Sequence, residues 1–509
     1  MRKILSVLTK RHVIVGLLIL IQLIFMISLI YQLSEYVIRL NQLLTAFSII
    51  VVIYLINQDL NPSYKLAWSI LILTFPIFGG FFYLLFGNKK APKALRRSML
   101  SSIQKTLPLL SQDHSVLAEI EEQSKDGANQ FKYVLKNSYF PVYRNTKLAY
   151  FKLGEEKFKA LVEELKKAEH FIFLEYFIIE EGLFWNTILE ILEQKVKDGV
   201  QVRITFDDAG CVQTLPYNYK QQLEKKGIAC CVFNPLRARL VVQMNNRDHR
   251  KIAVIDNRVA FVGGINLADE YINEVERFGH WKDTAMMLQG DAVWSFTVMF
   301  LQFWHYLSKG EEQEYLSYKL DHGIQGDDGY IQPFSDTPTD DEEVGLNVHM
   351  NLINKAKKSI YIHTPYLIIG YEMQKALILA AKSGVDVRMT LPHIPDKWYV
   401  HLVSQANYRK LIEAGVRIYE YTPGFIHSKI ILVDDDLGFI GTINMDYRSY
   451  YLHYECGVIV YKDQVLSEMK NDYVQTLAQC QEITKEDMEK TSFGKKLVQA
   501  LLNLFSPLM

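Results

Sequence analysis

The chain has 509 residues, with 56 basic and 57 acidic side chains and a net charge of −1 when histidine is neutral. That length exceeds one ordinary hydrophobic core and sets an expectation of two or three domains; the balanced charge excludes a globally basic nucleic-acid binder. Five scattered cysteines, Cys211, Cys230, Cys231, Cys456 and Cys480, form no C-x-x-C and no metal-type spacing, as fits reduced thiols of a cytosol-facing protein.

The first 87 residues are strongly apolar. Residues 13–31 carry no charge and suffice to cross a hydrocarbon layer of about 30 Å as a helix. More apolar segments follow, without a small-residue cleavage site, so a signal peptide is the poorer reading. Residues 43–56 are apolar but short, and span only if extended toward Tyr36 or Asp59. Residues 66–87 are long enough, yet Pro76 and Gly79-Gly80 interrupt them. Arg2, Lys3, Lys10 and Arg11 precede this region; Lys89, Lys90, Lys93, Arg96 and Arg97 follow it. Positive-inside reasoning places both ends in the cytoplasm and requires an even number of crossings. Two full spans plus a broken or re-entrant third segment satisfy it.

The organisation expected from composition is a membrane region at 1–97, a polar, helix-prone connector at 98–144, a first catalytic half at 145–308, an acidic linker at 309–344, a second half at 345–480 and an amphipathic tail at 481–509. In the first half a helix over 155–168 leads into the apolar run 171–179, read as a buried strand. A helix near 186–198 ends at Gly199, and an alternating strand follows over 200–210. The second half repeats this order: a strand over 360–369, a helix over 371–382, Gly384 and a strand over 385–392. Strand, helix, strand implies parallel, right-handed units in an α/β sheet. Residues 292–307 are helical in length and unusually aromatic, fitting either a helix packed on the sheet or a surface dipping into lipid.

The strongest signal is a duplicated H-x-K-x-x-x-x-D: His249, Lys251 and Asp256, then His427, Lys429 and Asp434. Each copy continues with Phe at +12, Gly at +14, Ile at +16 and Asn at +17, which is Asn266 in the first and Asn444 in the second. A lone copy is weak; two with matched downstream residues argue for a duplicated domain and one site built from both. Read as strand, each His and Lys point to one face. Two His, two Lys and two Asn can surround one phosphorus, with cationic and amide donors on the non-bridging oxygens. One imidazole can attack phosphorus while the other protonates the leaving alkoxide and then activates the acceptor alcohol. Asp256 and Asp434 complete the motifs, but an Asp at a strand-to-turn junction is expected to be structural. H-E-x-x-H, a Cys/His ligand cluster and G-x-x-x-x-G-K-[ST] are missing from the sequence, so no metal or ATP chemistry is expected.

These motifs closely resemble the phospholipase D superfamily over most of residues 145–480. The segments YLLFG (83–87), 245–271, TPYLI (364–368) and 425–449 are similar to the bacterial cardiolipin synthases. The resemblance implies two phospholipase D-like α/β domains, each a mixed sheet flanked by helices, in pseudo-twofold arrangement after N-terminal transmembrane helices. It implies transfer of a phosphatidyl group between two phosphatidylglycerol molecules, through a phosphohistidine, giving cardiolipin and glycerol without a cofactor. One half-site is then His249, Lys251 and Asn266; the other is His427, Lys429 and Asn444. Asp283 in WKDT and Glu455 in LHYE fall where carboxylates orient the two histidines, and Glu175-Tyr176 matches a recurrent strand-end pair. The resemblance favours His249 as nucleophile and His427 as acid/base, with the reverse left open. Thr442 stands where Ser is commoner, and His453 where Asn is commoner. The implied setting is the cell membrane, multi-pass, with the catalytic halves in the cytoplasm, partnered by phosphatidylglycerol, cardiolipin and the bilayer and by no nucleic acid. A hydrolase or a transferase for another lipid pair, or an inert membrane scaffold, are the competing expectations.

Overall fold

The computed structural model describes residues 20, 24, 35–75, 78–87, 93–235, 245–308, 314–326 and 329–508. Contacts divide the chain into two units: Lys93–Pro235 with Asn246–Ala500, and the remaining N-terminal, 236–245 and C-terminal segments. The span expected at 13–31 lies outside the described residues, apart from Leu20 and Ile24.

In the N-terminal unit a helix runs Glu35–Ile56. Its apolar part, Ile38–Ile56, is long enough to cross a membrane, and no other helix among the described residues is. The apolar run 66–87 is split between the helices Pro62–Thr74 and Phe78–Phe86, of 13 and 9 residues. At about 1.5 Å per residue neither reaches across a bilayer. Asn61 caps the first, accepting from the Ser63 N–H at 2.9 Å, and Pro62 supplies the fixed φ that a first helical turn tolerates. The pair closes on itself because position 79 is glycine: a Cβ there would lie 2.4 Å from the Leu71 carbonyl. Trp68 fills the joint, its ring 5.6 Å from Phe82 and 5.2 Å from Tyr83.

The larger unit holds two sheets of matching topology. The first half contributes β1 (Thr146–Phe151), β2 (Phe171–Tyr176), β3 (Gln201–Asp207), β4 (Ala229–Phe233), β5 (Arg247–Asp248), β6 (Ile252–Ile255), β7 (Val259–Gly263), β8 (His280–Lys282) and β9 (Ala285–Gly290). The second contributes β10 (Tyr330–Asp336), β11 (Ser359–His363), β12 (Leu367–Ile368), β13 (Asp386–Pro392), β14 (Arg417–Tyr421), β15 (Gly424–Ile426), β16 (Ile430–Val433), β17 (Leu437–Gly441), β18 (Met445–Asp446), β19 (His453–Tyr461) and β20 (Cys480–Ile483). The first sheet is ordered β1-β9-β7-β6-β2-β3-β4, and the second β10-β19-β17-β16-β11-β13-β14-β20. In both, the helix-linked strands pair in parallel (β2 with β3, β11 with β13) and the hairpin strands pair antiparallel. Gly199 and Gly384, with φ of 90° and 92°, end the intervening helices in the left-handed conformation that glycine adopts without cost.

Three expectations need adjustment. The run 360–369 is two strands, β11 and β12, parted at Thr364-Pro365, where proline removes a ladder donor. The H-x-K triplets are not inside strands: 249–251 join β5 to β6, and 427–429 join β15 to β16. Their backbone leaves one pairing partner for another at that point. Within the acidic stretch 309–344 lies β10, paired antiparallel to β19. The aromatic segment at 292–307 forms the helix Val293–Leu307, buried from Val293 through His305. It packs in the core and does not present a face to lipid.

Candidate active site

The site grows from two short strands that each half lends to the other. β5 pairs in parallel with the start of β19, setting Arg247 opposite His453 and Asp248 opposite Tyr454. The His249 N–H continues this ladder, donating to the Tyr454 carbonyl at 3.0 Å. One step on, His249 meets Glu455: its Nδ1 lies 3.0 and 3.1 Å from the carboxylate oxygens. The mirror arrangement pairs β15 with β8, setting Gly424 opposite His280 and Ile426 opposite Lys282. The His427 N–H donates to the Lys282 carbonyl at 2.7 Å, and His427 Nδ1 lies 2.6 Å from Asp283 Oδ2. Each histidine is therefore oriented by a carboxylate of the opposite half, through the same strand-pairing device used twice.

A carboxylate can only accept, so Nδ1 carries the hydrogen in both rings and Nε2 keeps its lone pair. Burial pushes His249 down to about 3, against the pull of Glu455. Burial and the Lys429 ammonium push His427 down to about 4, against Asp283. Both rings are thus neutral at pH 7. Burial acts upward on the two carboxylates, but their histidines overcome it and hold both below the usual range. Thr442 and Thr284 steady the carboxylates: the Thr442 hydroxyl donates to Glu455, and the Thr284 N–H donates to Asp283 at 2.8 Å.

Lys251 and Lys429 are buried, and each donates to the carbonyl of its own motif histidine. Burial lowers Lys251 to about 8. Burial lowers Lys429 to about 7, with Asp283 opposing and Lys251 adding to the fall. Lys251 acts electrostatically on both Lys429 and His427, so the two motif sets share one field. Asn266 is held by the Ile178 N–H at 3.0 Å on its Oδ1 and by the Tyr271 hydroxyl at 2.7 Å on its Nδ2. Asn444 is buried too, and its Oδ1 has no hydrogen-bond partner.

The motif aspartates are not brought to the histidines. Asp256 accepts from the backbone N–H groups of Glu169, His170 and Phe171 at 2.7, 2.9 and 2.6 Å. Asp434 does the same for Lys357, Lys358 and Ser359 at 2.6, 2.7 and 2.8 Å. Both sit at positive φ, in turns that close the start of β2 or β11. The Asp residues counted with the catalytic set are thus bound up in anchoring strands.

Glu175 pairs with Arg250 at 2.6 Å, and Arg250 also reaches Asp248 at 3.0 Å. The middle residue of the first H-x-K is thereby fixed by two carboxylates. Tyr176 accepts from the buried Lys157, whose Nζ also donates to the Ile265 carbonyl at 3.0 Å, next to Asn266. Lys282 and Asp472 form a buried bridge between the halves at 2.7 and 2.8 Å. Arg250, Lys157 and this bridge escaped the sequence reading. Only the adjacency of Arg250 to His249 and of Lys282 to Asp283 offered a signal.

Comparison with known proteins matches this architecture. The family described as "Cardiolipin synthase, PLD-like domain" fits residues 161–279 and 350–477, and "Phospholipase_D-nuclease N-terminal" fits residues 46–88. A protein named cardiolipin synthase from Alkalihalophilus pseudofirmus is 35% identical, over 92% of this chain and 94% of its own. One named cardiolipin synthase 2 from Bacillus cereus is 36% identical, over 91% of this chain and 90% of its own. The crystal structure of a phosphatidylserine synthase from Haemophilus influenzae superposes with a TM-score of 0.57 at 17% identity, over 75% of this chain and 98% of that one, which is a likeness of fold. By both its family models and its relatives of similar length, the chain belongs to the cardiolipin synthase family of phospholipase D-like proteins.

Proposed function

We propose that this protein is a membrane-bound cardiolipin synthase, transferring a phosphatidyl group from one phosphatidylglycerol to the hydroxyl of another and releasing glycerol. The observation that carries the proposal is the pair of crossed dyads, His249–Glu455 and His427–Asp283. Reversible phosphodiester exchange needs one group to attack phosphorus and another to pass a proton between two alcohols. His249 Nε2 attacks, forming a bond to phosphorus as the bond to the glycerol oxygen breaks. His427 gives that oxygen its proton, then takes one from the incoming lipid hydroxyl as it displaces His249. A phosphodiester anion between the rings favours protonation of the acid/base imidazole, offsetting the burial that otherwise keeps it neutral. Lys251, Lys429, Asn266 and Asn444 bind the non-bridging oxygens, where charge gathers in the transition state. No step draws on ATP, because one phosphodiester replaces another.

Residues 145–308 and 345–480 act as two domains of one catalytic body, with residues 1–97 as a membrane region of two full spans and a broken or re-entrant third segment. The charge-free run at 13–31, the helix Glu35–Ile56 and the short pair at 62–86 support that topology, and the flanking basic residues favour cytoplasmic catalytic halves. The helix Phe493–Leu504 exposes Phe493, Leu497, Val498 and Leu501 and carries Lys495 and Lys496, a composition suited to an interface of anionic lipid. A site held at lipid favours the lipid hydroxyl over water as acceptor. Purified protein given phosphatidylglycerol alone will form cardiolipin and glycerol in equal amounts. Phosphatidic acid as the sole lipid product would reassign the protein as a hydrolase.

A further inference from the structure

A third histidine stands against Glu455. β19 opens on His453-Tyr454-Glu455, and the period of a strand turns His453 and Glu455 to the same side. His453 is 10% exposed, and its Nδ1 approaches Glu455 Oε1 to 3.5 Å, yet neither of its ring nitrogens has a hydrogen-bond partner. Its ring centroid is 5.4 Å from that of His249. One donor atom from each of His249, His453 and Glu455 lies within 4.8 Å of the other two. Glu455 Oε1 thus faces imidazole nitrogens at 3.0 and 3.5 Å. Donors around a tetrahedral ion with bonds of about 2.0–2.1 Å are separated by about 3.3 Å. Two imidazoles and one carboxylate with a fourth position open form a set suited to Zn²⁺ or its neighbours. Mg²⁺ and Ca²⁺ want about six or more oxygens, which this cluster cannot supply.

We propose that His249, His453 and Glu455 bind a tetrahedral transition-metal cation, best Zn²⁺, and that the bound ion silences the site. A neutral imidazole holds one N–H. When the ion takes the Nδ1 lone pair of His249, the proton relocates to Nε2, and no proton is released. Nε2 then has no lone pair to offer phosphorus, and Glu455 no longer orients the ring. The silencing rests on the proposed role of His249 as nucleophile; the binding does not.

The test titrates the full-length protein in detergent with Co²⁺, whose tetrahedral complexes absorb visible light, and then displaces it with Zn²⁺. Wild type is expected to bind one ion at this site, with an affinity about 100-fold above that of His453→Asn or Glu455→Gln. Metal-free unfolding curves check that both variants fold. His401→Asn, in the separate group where His393 and His401 approach Glu420 at 3.1 and 3.8 Å, keeps the signal. No tetrahedral signal in wild type, a signal that survives in both His453→Asn and Glu455→Gln, or one lost in His401→Asn overturns the site. In the lipid assay, saturating Zn²⁺ abolishes wild-type turnover and a chelator restores it, while whatever turnover His453→Asn retains is insensitive. Full wild-type turnover with the ion bound overturns the silencing. If the protein transfers no lipid at all, the proposed function fails while the titration still decides the metal site.

Discussion

His249 and His427 are oriented by carboxylates about 200 and 140 positions away, not by motif neighbours. Asp283→Asn and Glu455→Gln keep the shape but remove the charge and let an amide N–H face Nδ1, so the Nδ1–H tautomer is no longer fixed. Each is expected to lower kcat by about 10²–10⁴, by the logic of a catalytic triad. Asp283→Asn added to His427→Ala should cost almost nothing further, because the two act as one unit; steady-state kinetics on the double variant checks it. Lys429 gives a pH signature. Burial first, then Lys251, lowers it to about 7 in the free enzyme, so its ammonium is present below that pH and lost above it. The kcat/KM for an anionic phosphodiester should therefore fall as pH rises through about 7. Lys429→Arg, charged at every accessible pH, should carry that alkaline limb upward whatever its loss in rate. The motif residues were legible because they occur twice in register. Arg250, Lys157 and Asp472 were not, since each is a single residue whose partner lies far along the chain.

Among the elements, the short strands β5, β8, β15 and the first residues of β19 hold the two halves in register, and none has a length or hydrophobic pattern that sequence reasoning can detect. The long strands and helices were legible, because apolar runs and terminal glycines mark them. The interruption after β11 and the break at H-x-K were not, because the chain there changes partners between strands. Asp256 and Asp434 belong to this scale. Asp256 is 3% exposed, and the Phe171 N–H it holds is buried. The Lys357 and Lys358 N–H groups held by Asp434 lie in exposed surroundings, where water can replace it. Asp256→Ala is expected to cost about 2–4 kcal/mol and Asp434→Ala about 1 kcal/mol, on the penalty of about 1–3 kcal/mol for a buried unsatisfied group. Turnover per folded molecule should stay within a few-fold of wild type in both. Denaturant unfolding and active-site-normalised rates check this; a rate loss like that of His249→Ala, without loss of stability, would make the aspartates chemical after all.

For the molecule as a whole, the duplicated motif foretold two matching halves, and the matching strand order of the two sheets has that form. The buried Lys282–Asp472 bridge adds a direct tie between the halves. The N-terminal region was legible only as apolar length. Among the described helices only Glu35–Ile56 has the reach to cross a membrane. The proposed transfer depends most on His249 and His427 dividing attack and proton transfer at a single phosphorus. A phosphatidyl ester of p-nitrophenol separates these tasks, because its leaving group needs no proton. With His427→Ala, rapid quenching should give a burst of about one nitrophenolate per chain and a phosphatidyl group covalently on His249, stalled for want of a base. No adduct on His249, or an equal burst after His249→Ala is added, would contradict the account.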